Sequence, residues 1–286
     1  MKDFGYLVVI SKSSTNEYLS MAYLLALSIK ATQKQGYDKV ALITDDKETI
    51  PVISSSPVFN QVIFWDKKQH WDGRSYMDQL SPWRYTVCLD ADMLMVRDTS
   101  HWIDYFINSN TEIYVTNKVK TFRDDIVTDN FYRQTYEKNQ LPILYSAYTF
   151  FDKTSLIVEK FFNMGRYIID YPTEFKNYFL DKDIPEVVGT DEAFSLAAKI
   201  LDLEDTISYD LEFPRFVHLK PRIQGFKTNV QKMGKEVGYY FDKLNRFKIG
   251  SFNQTDIIHY SQKDLFTQDM ISNYHNIMME NFKNVT

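Results

Sequence analysis

The chain has 286 residues, 44% of them hydrophobic and 25% charged, with a net charge of −5. That is the make-up of a water-soluble globular protein long enough to bury a large core. Aromatic residues reach 16% while Gly (9) and Pro (8) are few, which argues against disordered and fibrous classes. The single cysteine, Cys88, excludes an internal disulfide framework and a multi-cysteine zinc site. No run approaches the roughly 18 apolar residues of a membrane span, and no basic-then-apolar leader opens the chain, so a soluble, cytoplasmic protein is expected.

Residues 6–10 (Tyr-Leu-Val-Val-Ile) form an apolar, β-branched run that stops at Ser11 and read as a buried strand entering a loop. From 18 to 31 the period turns helical, with Met21, Leu24, Leu25 and Ser28 on one face and Asn16 placed as N-cap. Apolar runs follow at 40–43, ending in Thr44-Asp45-Asp46, and at 62–65, ending in Asp66. A fourth, 86–89, buries Cys88 as an unreactive thiol and ends in Asp90-Ala91-Asp92. Strands alternating with helices imply parallel pairing through right-handed crossovers, with the ligand beyond the carboxyl ends of the strands. Those ends carry Ser11, Asp45, Asp66, Asp90 and Asp92, an acidic rim suited to a cation-bridged polyphosphate. Later, 144–151 reads as a strand, 154–171 as a helix closed by Pro172, and Thr190 as the cap of a helix over 191–201. Residues 216–219 and 256–260 read as strands of a less regular C-terminal part. With no repeat or linker, the expectation is a single α/β domain over 1–286, with a mainly parallel central sheet flanked by helices.

The sharpest chemical signal is Leu89-Asp90-Ala91-Asp92. Two carboxylates one residue apart, in a turn leaving a strand, can face one hard cation such as Mn²⁺ or Mg²⁺, whose shell substrate phosphates complete. Such a cation neutralises charge on a departing diphosphate. Strand ends also favour Asp for turn chemistry alone, so the triplet needs its context.

That context resembles the GT-A glycosyltransferases, and among them the glycogenin-like, galactosyltransferase-containing family 8, as spaced motifs over roughly residues 4–265. Thr15-Asn16-Glu17-Tyr18 resembles the family's loop after the first strand, which makes Tyr18 the base-stacking residue. Arg74 stands where similar enzymes place a basic residue on the donor sugar or phosphates. Residues 144–151 resemble the strand beside the transferred sugar, with Ser146 retained but Tyr145 and Ala147 replacing asparagine and glycine, so the sugar pocket is expected to be reshaped. Gly189-Thr190-Asp191-Glu192 resembles the segment whose aspartate contacts donor hydroxyls, and Asp191 and Glu192 are the candidate catalytic acids; carboxylates at a helix start are also routine. His259 matches a strand-end third metal ligand, and Lys263 a phosphate-gripping lysine, although it follows by four residues instead of six and the glycine is missing; His218 is the competing histidine. The resemblance implies a GT-A, Rossmann-like domain with a nucleotide-binding half (1–100) and an acceptor half with the C-terminal metal ligand (101–286). It further implies a UDP-sugar donor bound through Ser11, Tyr18, Asp45, Arg74, Ser146 and Lys263, a metal held by Asp90, Asp92 and His259, and retention of anomeric configuration.

Charge is unevenly spread: residues 215–248 carry nine Lys/Arg against two acids, a net of +7, leaving −12 elsewhere. Lys220, Arg222 and Lys227, interleaved with aromatics, suit phosphates and an unpaired base. Low Gly with abundant Tyr, Phe, Lys and Asn resembles large-tailed-phage proteins, which suggests hydroxymethylated cytosine in DNA as acceptor, set against a saccharide, glycan or protein acceptor. A nucleotidyltransferase is disfavoured because Ser11-Lys12-Ser13-Ser14-Thr15 contains no glycine. A non-catalytic nucleic-acid-binding module is the remaining rival.

Overall fold

The structure, a computed structural model, describes residues 3–12, 17–48, 50–54, 56–66, 72–127, 133–179, 189–207, 214–226, 237–260 and 268–283. Apart from single turns, the elements are β1 (Phe4–Ile10), α1 (Glu17–Thr32), β2 (Val40–Thr44), β3 (Gln61–Phe64), β4 (Tyr85–Leu89), β5 (Met93–Leu94), α2 (Ser100–Asn108), β6 (Ile113–Thr116), β7 (Val119–Lys120), β8 (Tyr145–Asp152), α3 (Leu156–Asp170), α4 (Pro172–Phe179), α5 (Thr190–Ile200), β9 (Phe216–His218), β10 (Tyr239–Phe241), β11 (Phe247–Ile249), β12 (Phe252–Asn253), β13 (Ile257–His259) and α6 (Gln268–Lys283).

Six strands form the central sheet in the order β3-β2-β1-β4-β8-β6. The first four are mutually parallel, and β8 runs against both β4 and β6. The apolar runs are nearly continuous because both faces are covered. Side chains of β1 and β2 alternate between two cores: Tyr6, Val8, Val40 and Leu42 join one, Leu7, Ala41 and Ile43 the other. The first core is closed by α1, α2 and α6, the second by α3 and α5. Gly5 is required by close approach, since a Cβ there would lie 2.4 Å from the Trp83 ring.

Helix ends shift by a residue or two from the sequence reading. Ser155 accepts from the N–H groups of Ile157 and Val158, so α3 begins at Leu156, and Pro172 does not merely close it but opens α4, where its missing N–H costs nothing. Gly189, not Thr190, is the cap of α5.

The C-terminal third, where the sequence shows little periodicity, contributes two small sheets. One, β5-β13-β9-β7, stitches distant segments together: β13 runs antiparallel to β5 and parallel to β9. A buried ion pair, Lys120 Nζ to Asp256 Oδ2 at 2.6 Å, ties β7 to the entry of β13. The other, β10-β11-β12, is antiparallel. Helix α6 lies along α1, and the buried Tyr274 hydroxyl donates to the Met95 carbonyl at 2.8 Å. Among the described residues, no helix is long and apolar enough to cross a membrane.

Candidate metal centre and donor cleft

The acidic pair sits where β4 runs out. The Asp90 N–H still donates to the Ala147 carbonyl of β8 at 3.2 Å, and Met93 N–H closes the turn onto Asp90. The chain reverses into β5, whose Met93 lies opposite His259. One backbone bond finishes the clamp, from Tyr260 N–H to the Asp92 carbonyl at 2.9 Å. A residue 167 positions downstream of Asp92 is thereby fixed beside it: His259 Nε2 stands 3.1 Å from Asp92 Oδ1 and 3.8 Å from Asp90 Oδ2. One ligand atom from each of the three residues falls within a 4.8 Å cluster. Two carboxylate oxygens and an imidazole nitrogen are donors that a borderline-hard divalent cation such as Mn²⁺ accepts.

Electrostatics in the cluster are tightly balanced. Burial pushes the Asp90 carboxyl up against the pull of Arg74 and His259. At Asp92 burial acts the same way, but the charge and hydrogen bond of His259 outweigh it and the carboxyl is lowered. Burial lowers His259, and Asp92 and Asp90 more than restore it, leaving its pKa raised. His259 also stacks on His218, centroids 4.6 Å apart and planes 13° from parallel, because parallel β9 and β13 place the two residues in register.

Two openings flank the cluster. The larger, about 530 Å³, is lined among others by Ser11, Lys12, Tyr18, Arg74, Asp92 and Thr190. The smaller, about 230 Å³, is lined among others by Asp90, His259, Arg133, Ser146, Asp191 and Lys220. Arg74, Gly189 and Thr190 border both, so they form the boundary between the two.

Arg74 reaches this boundary from a 3₁₀ turn, Asp72–Tyr76, that lies against β1. A Cβ on Gly73 would come 2.7 Å from Val9 Cγ1, so the approach depends on the missing side chain. Its guanidinium pairs with Asp90 and donates to Ser146 Oγ at 3.2 Å. Ser146 in turn donates to Asp191 Oδ1 through its hydroxyl (2.5 Å) and its backbone N–H (2.8 Å), and Arg133 pairs with the other carboxylate oxygen. Against the push of burial, Arg133 and Ser146 hold Asp191 below the usual carboxylate range. So encumbered, Asp191 is a weak base and an effective orienting acceptor. Glu192 lies on the wall of the smaller chamber, and a Cβ at Gly189 would lie 2.4 Å from its Oε2.

Other residues of the sequence reading fall outside this cluster. Asp45 accepts from the Lys12 N–H at 2.6 Å and, with Ser11 and Trp65, lines a separate recess of about 10 Å³, room for a single water. Asp66, placed on the acidic rim by the sequence, is instead exposed and 4.0 Å from Lys47. Its strand, β3, is the edge of the sheet, which carries it past the cleft. Lys220 lines the smaller chamber, whereas the exposed Arg222 lines neither. Lys227, Lys263 and the Thr15-Asn16 part of the base loop lie outside the described residues.

Two contributors, Arg133 and Gly73, were missed from the sequence, and two others, His218 and Gly189, were given no place in the chamber. Arg133, with its guanidinium 4.1 Å over the Tyr145 ring, and His218 build one wall of the smaller chamber. Gly73 and Gly189 set distances of approach. Of the four, Gly189, directly before the acidic helix start, and His218, the competing histidine, carried a local signal.

Solved structures with this architecture exist. The chain superposes on mouse xyloside xylosyltransferase 1 with a TM-score of 0.52 at 9% identity, covering 90% of this chain and 97% of that one. It superposes on the Streptococcus pneumoniae TIGR4 glycosyltransferase GlyE at 0.55 and 10% identity, covering 100% and 64%, and on the bifunctional glycosyltransferase WbbM at 0.53 and 10%, covering 98% and 51%. This chain is folded as these glycosyltransferases are. It spans about two thirds of GlyE and half of WbbM, and no protein-family model and no curated protein sequence matches it. At such identities the likeness is one of fold, and chemistry has to be argued from the site.

Proposed function

We propose that the chain is a metal-dependent glycosyltransferase of the family 8 kind, taking its sugar from a nucleoside-diphosphate donor, UDP by resemblance. One observation carries the reading: Asp90, Asp92 and His259, the last 167 positions beyond Asp92, cluster beside two chambers that share Arg74, Gly189 and Thr190, in a fold like that of glycosyltransferases. The larger chamber would take the nucleoside, with Tyr18, 45% exposed on its wall, against the base and Ser11 and Asp45 behind it. The smaller would take the sugar, held by Ser146 and Asp191 and narrowed by Tyr145. Because the cleft draws residues from both 1–100 and 101–286, we read the chain as one working domain.

A divalent cation held by Asp90, Asp92 and His259 would supply charge neutralisation for the leaving diphosphate. Arg74, at the boundary, is placed to exchange Asp90 for a phosphate oxygen, with a fork of donors that suits it. Asp191, with a lowered pKa, orients sugar hydroxyls instead of taking protons. Glu192 is the remaining carboxylate on the chamber wall, and family resemblance favours retention of configuration.

For the acceptor we take a hydroxymethylated cytosine in DNA, supported by the basic segment in which exposed Arg222 closely follows the chamber-lining Lys220. A saccharide or protein acceptor is the competing reading.

The test is donor hydrolysis and thermal shift over a panel of nucleotide sugars, with and without Mn²⁺. The wild type should be stabilised by a uridine nucleotide only with the metal, and Asp92→Asn should lose that dependence. A protein indifferent to every nucleotide with Mn²⁺ present sinks the proposal. At the acceptor step, sugar should pass to hydroxymethylcytosine duplex and not to unmodified DNA; no transfer to the hydroxymethylated duplex removes the DNA reading.

A further inference from the structure

Helix α3 faces the second core with Val158, Phe161, Phe162 and Ile169, and one charged residue stands in that apolar face. Arg166 is 7% exposed, and its partner Asp78 is 8% exposed. Taking such a pair out of water is costly, and apolar side chains of similar volume often serve stability as well or better. What an arginine adds there is a planar fork of donors whose directions are fixed.

The fork is directed at one stretch of chain. Nη1 donates to the Ser75 carbonyl at 2.6 Å and to Asp78 Oδ1 at 2.7 Å, and Nη2 donates to Asp78 Oδ2 at 3.3 Å. Asn163 Oδ1, one turn back on α3, accepts from Nη2 at 2.5 Å and steadies the guanidinium. The guanidinium also lies 5.0 Å from the centre of the Tyr76 ring, which packs against Trp65. Ser75 and Tyr76 directly follow Arg74, and Asp78 sits in the helical turn Met77–Leu80 that continues from them. On the other side of Arg74, Gly73 passes so close to Val9 of β1 that a Cβ would meet it. Arg74 is thus bracketed between β1 and α3, and from that bracket its side chain reaches Asp90 and Ser146.

We propose that Arg166 is a positioning residue for donor binding, fixing the turn that carries Arg74 and acting on the donor through Arg74 alone. The inference rests on the donor-cleft reading above. Arg166 lines neither chamber, so it has no direct contact to offer the donor. A turn released from α3 would let the long Arg74 side chain meet a phosphate from several directions. A displacement of about 1 Å in such an element can cost on the order of 10²-fold in rate.

A double-mutant cycle tests this. UDP binding to the full chain is measured by calorimetry in Mn²⁺, and unfolding midpoints in urea, for wild type, Arg166→Met, Arg74→Met and the double variant. Arg166→Met should weaken UDP about tenfold in the wild-type background and by less than about twofold in the Arg74→Met background. Its stability loss should be the same in both backgrounds, so the coupling reports on Arg74 and not on folding. Arg166→Lys keeps a cation beside Asp78 but lacks the fork, and it should show the same pattern in a chain that folds even where Arg166→Met does not. UDP binding within about twofold of wild type for either folded Arg166 variant, or an equal loss of affinity in both backgrounds, overturns the assignment and leaves the donor cleft standing. If Arg74→Met alone leaves UDP binding unchanged, Arg74 is no donor contact and the inference falls with that part of the reading. Absence of UDP binding by the wild type removes the whole cleft reading and this inference with it.

Discussion

The two chambers are built differently. The larger one is lined mostly by the ends of β1 and β4 and the turns after them, with Ser11, Lys12, Tyr18, Arg74 and Asp92 all within the first hundred residues. The smaller one gathers Arg133, Tyr145, Ser146, Asp191, His218, Lys220 and His259 from five separate stretches. Parallel strands with short turns bring their carboxyl ends together automatically, so the first chamber follows from the sheet itself. The second needs β7, β9 and β13 to find β5, contacts of high sequence separation held by a buried ion pair and a few backbone bonds. The first should therefore tolerate substitution better than the second, where removing one partner strands another.

The largest expected effect is at Arg133. Only 7% exposed, it pairs with Asp191, and Arg133→Met would leave that half-buried carboxylate without its cation. Breaking a fully buried pair costs about 3–5 kcal/mol, and this partly exposed one should lose about half of that, read as a fall in unfolding midpoint in urea. Asp191→Asn keeps a single acceptor oxygen, turns an amide NH₂ toward either Ser146 or Arg133 and leaves the Arg133 charge unpaired, so it too should cost stability while impairing donor turnover. Equal, small losses in both variants would show that the second chamber is as tolerant as the first.

Next comes Gly73→Ala. The added methyl would meet Val9 at 2.7 Å, and overpacking of this kind costs roughly 1–3 kcal/mol. The turn carries Arg74, so UDP binding should weaken along with stability. If calorimetry finds the nucleotide affinity unchanged, Arg74 is not placed by this close approach.

Tyr18→Ala separates affinity from stability. The ring is 45% exposed, so the midpoint should move little, while the loss of a base-stacking face weakens UDP by about 1–3 kcal/mol. A drop in stability with unaltered UDP binding would mark Tyr18 as a packing residue and leave the larger chamber without a base platform.

These contrasts also show what the sequence could and could not say. The order of strand runs, the helix over 18–31 and the Asp90-Asp92 turn were legible because burial on both faces writes continuous apolar runs and strand ends interrupt them. His259 was legible only through resemblance, since nothing in Asp256-Ile257-Ile258-His259 points to residue 92; the pairing of β13 with β5 makes that contact. Arg133 was invisible: a lone arginine reads as solvated charge, and only the fold lays it over Tyr145. Asp66 was over-read because a strand end does not reveal whether its strand is central or at the edge. Among the basic residues at 220–227, the sequence could not tell which line a chamber: Lys220 does and Arg222 does not.

The smallest effect should be at Cys88, in the second core on the far face of β4 from Val87 and Leu89. Burial pushes its thiol up to about 12 against the pull of Arg74. Thiolate is the reactive form, so at pH 8 alkylation of the folded protein should be slower than of a free thiol by on the order of a thousandfold. The same shift has a sign for stability. The folded thiol keeps its proton up to about pH 12 while the unfolded one loses it near 8.5, so this contribution is whole below about 8.5 and drains as pH climbs toward 12. Cys88→Ala should flatten that alkaline decline at a cost of about 1 kcal/mol near neutrality, read from urea midpoints across pH 7–10. Rapid alkylation in the absence of denaturant would mean that β4, the strand carrying the acidic pair, opens more freely than its place at the centre of the sheet allows.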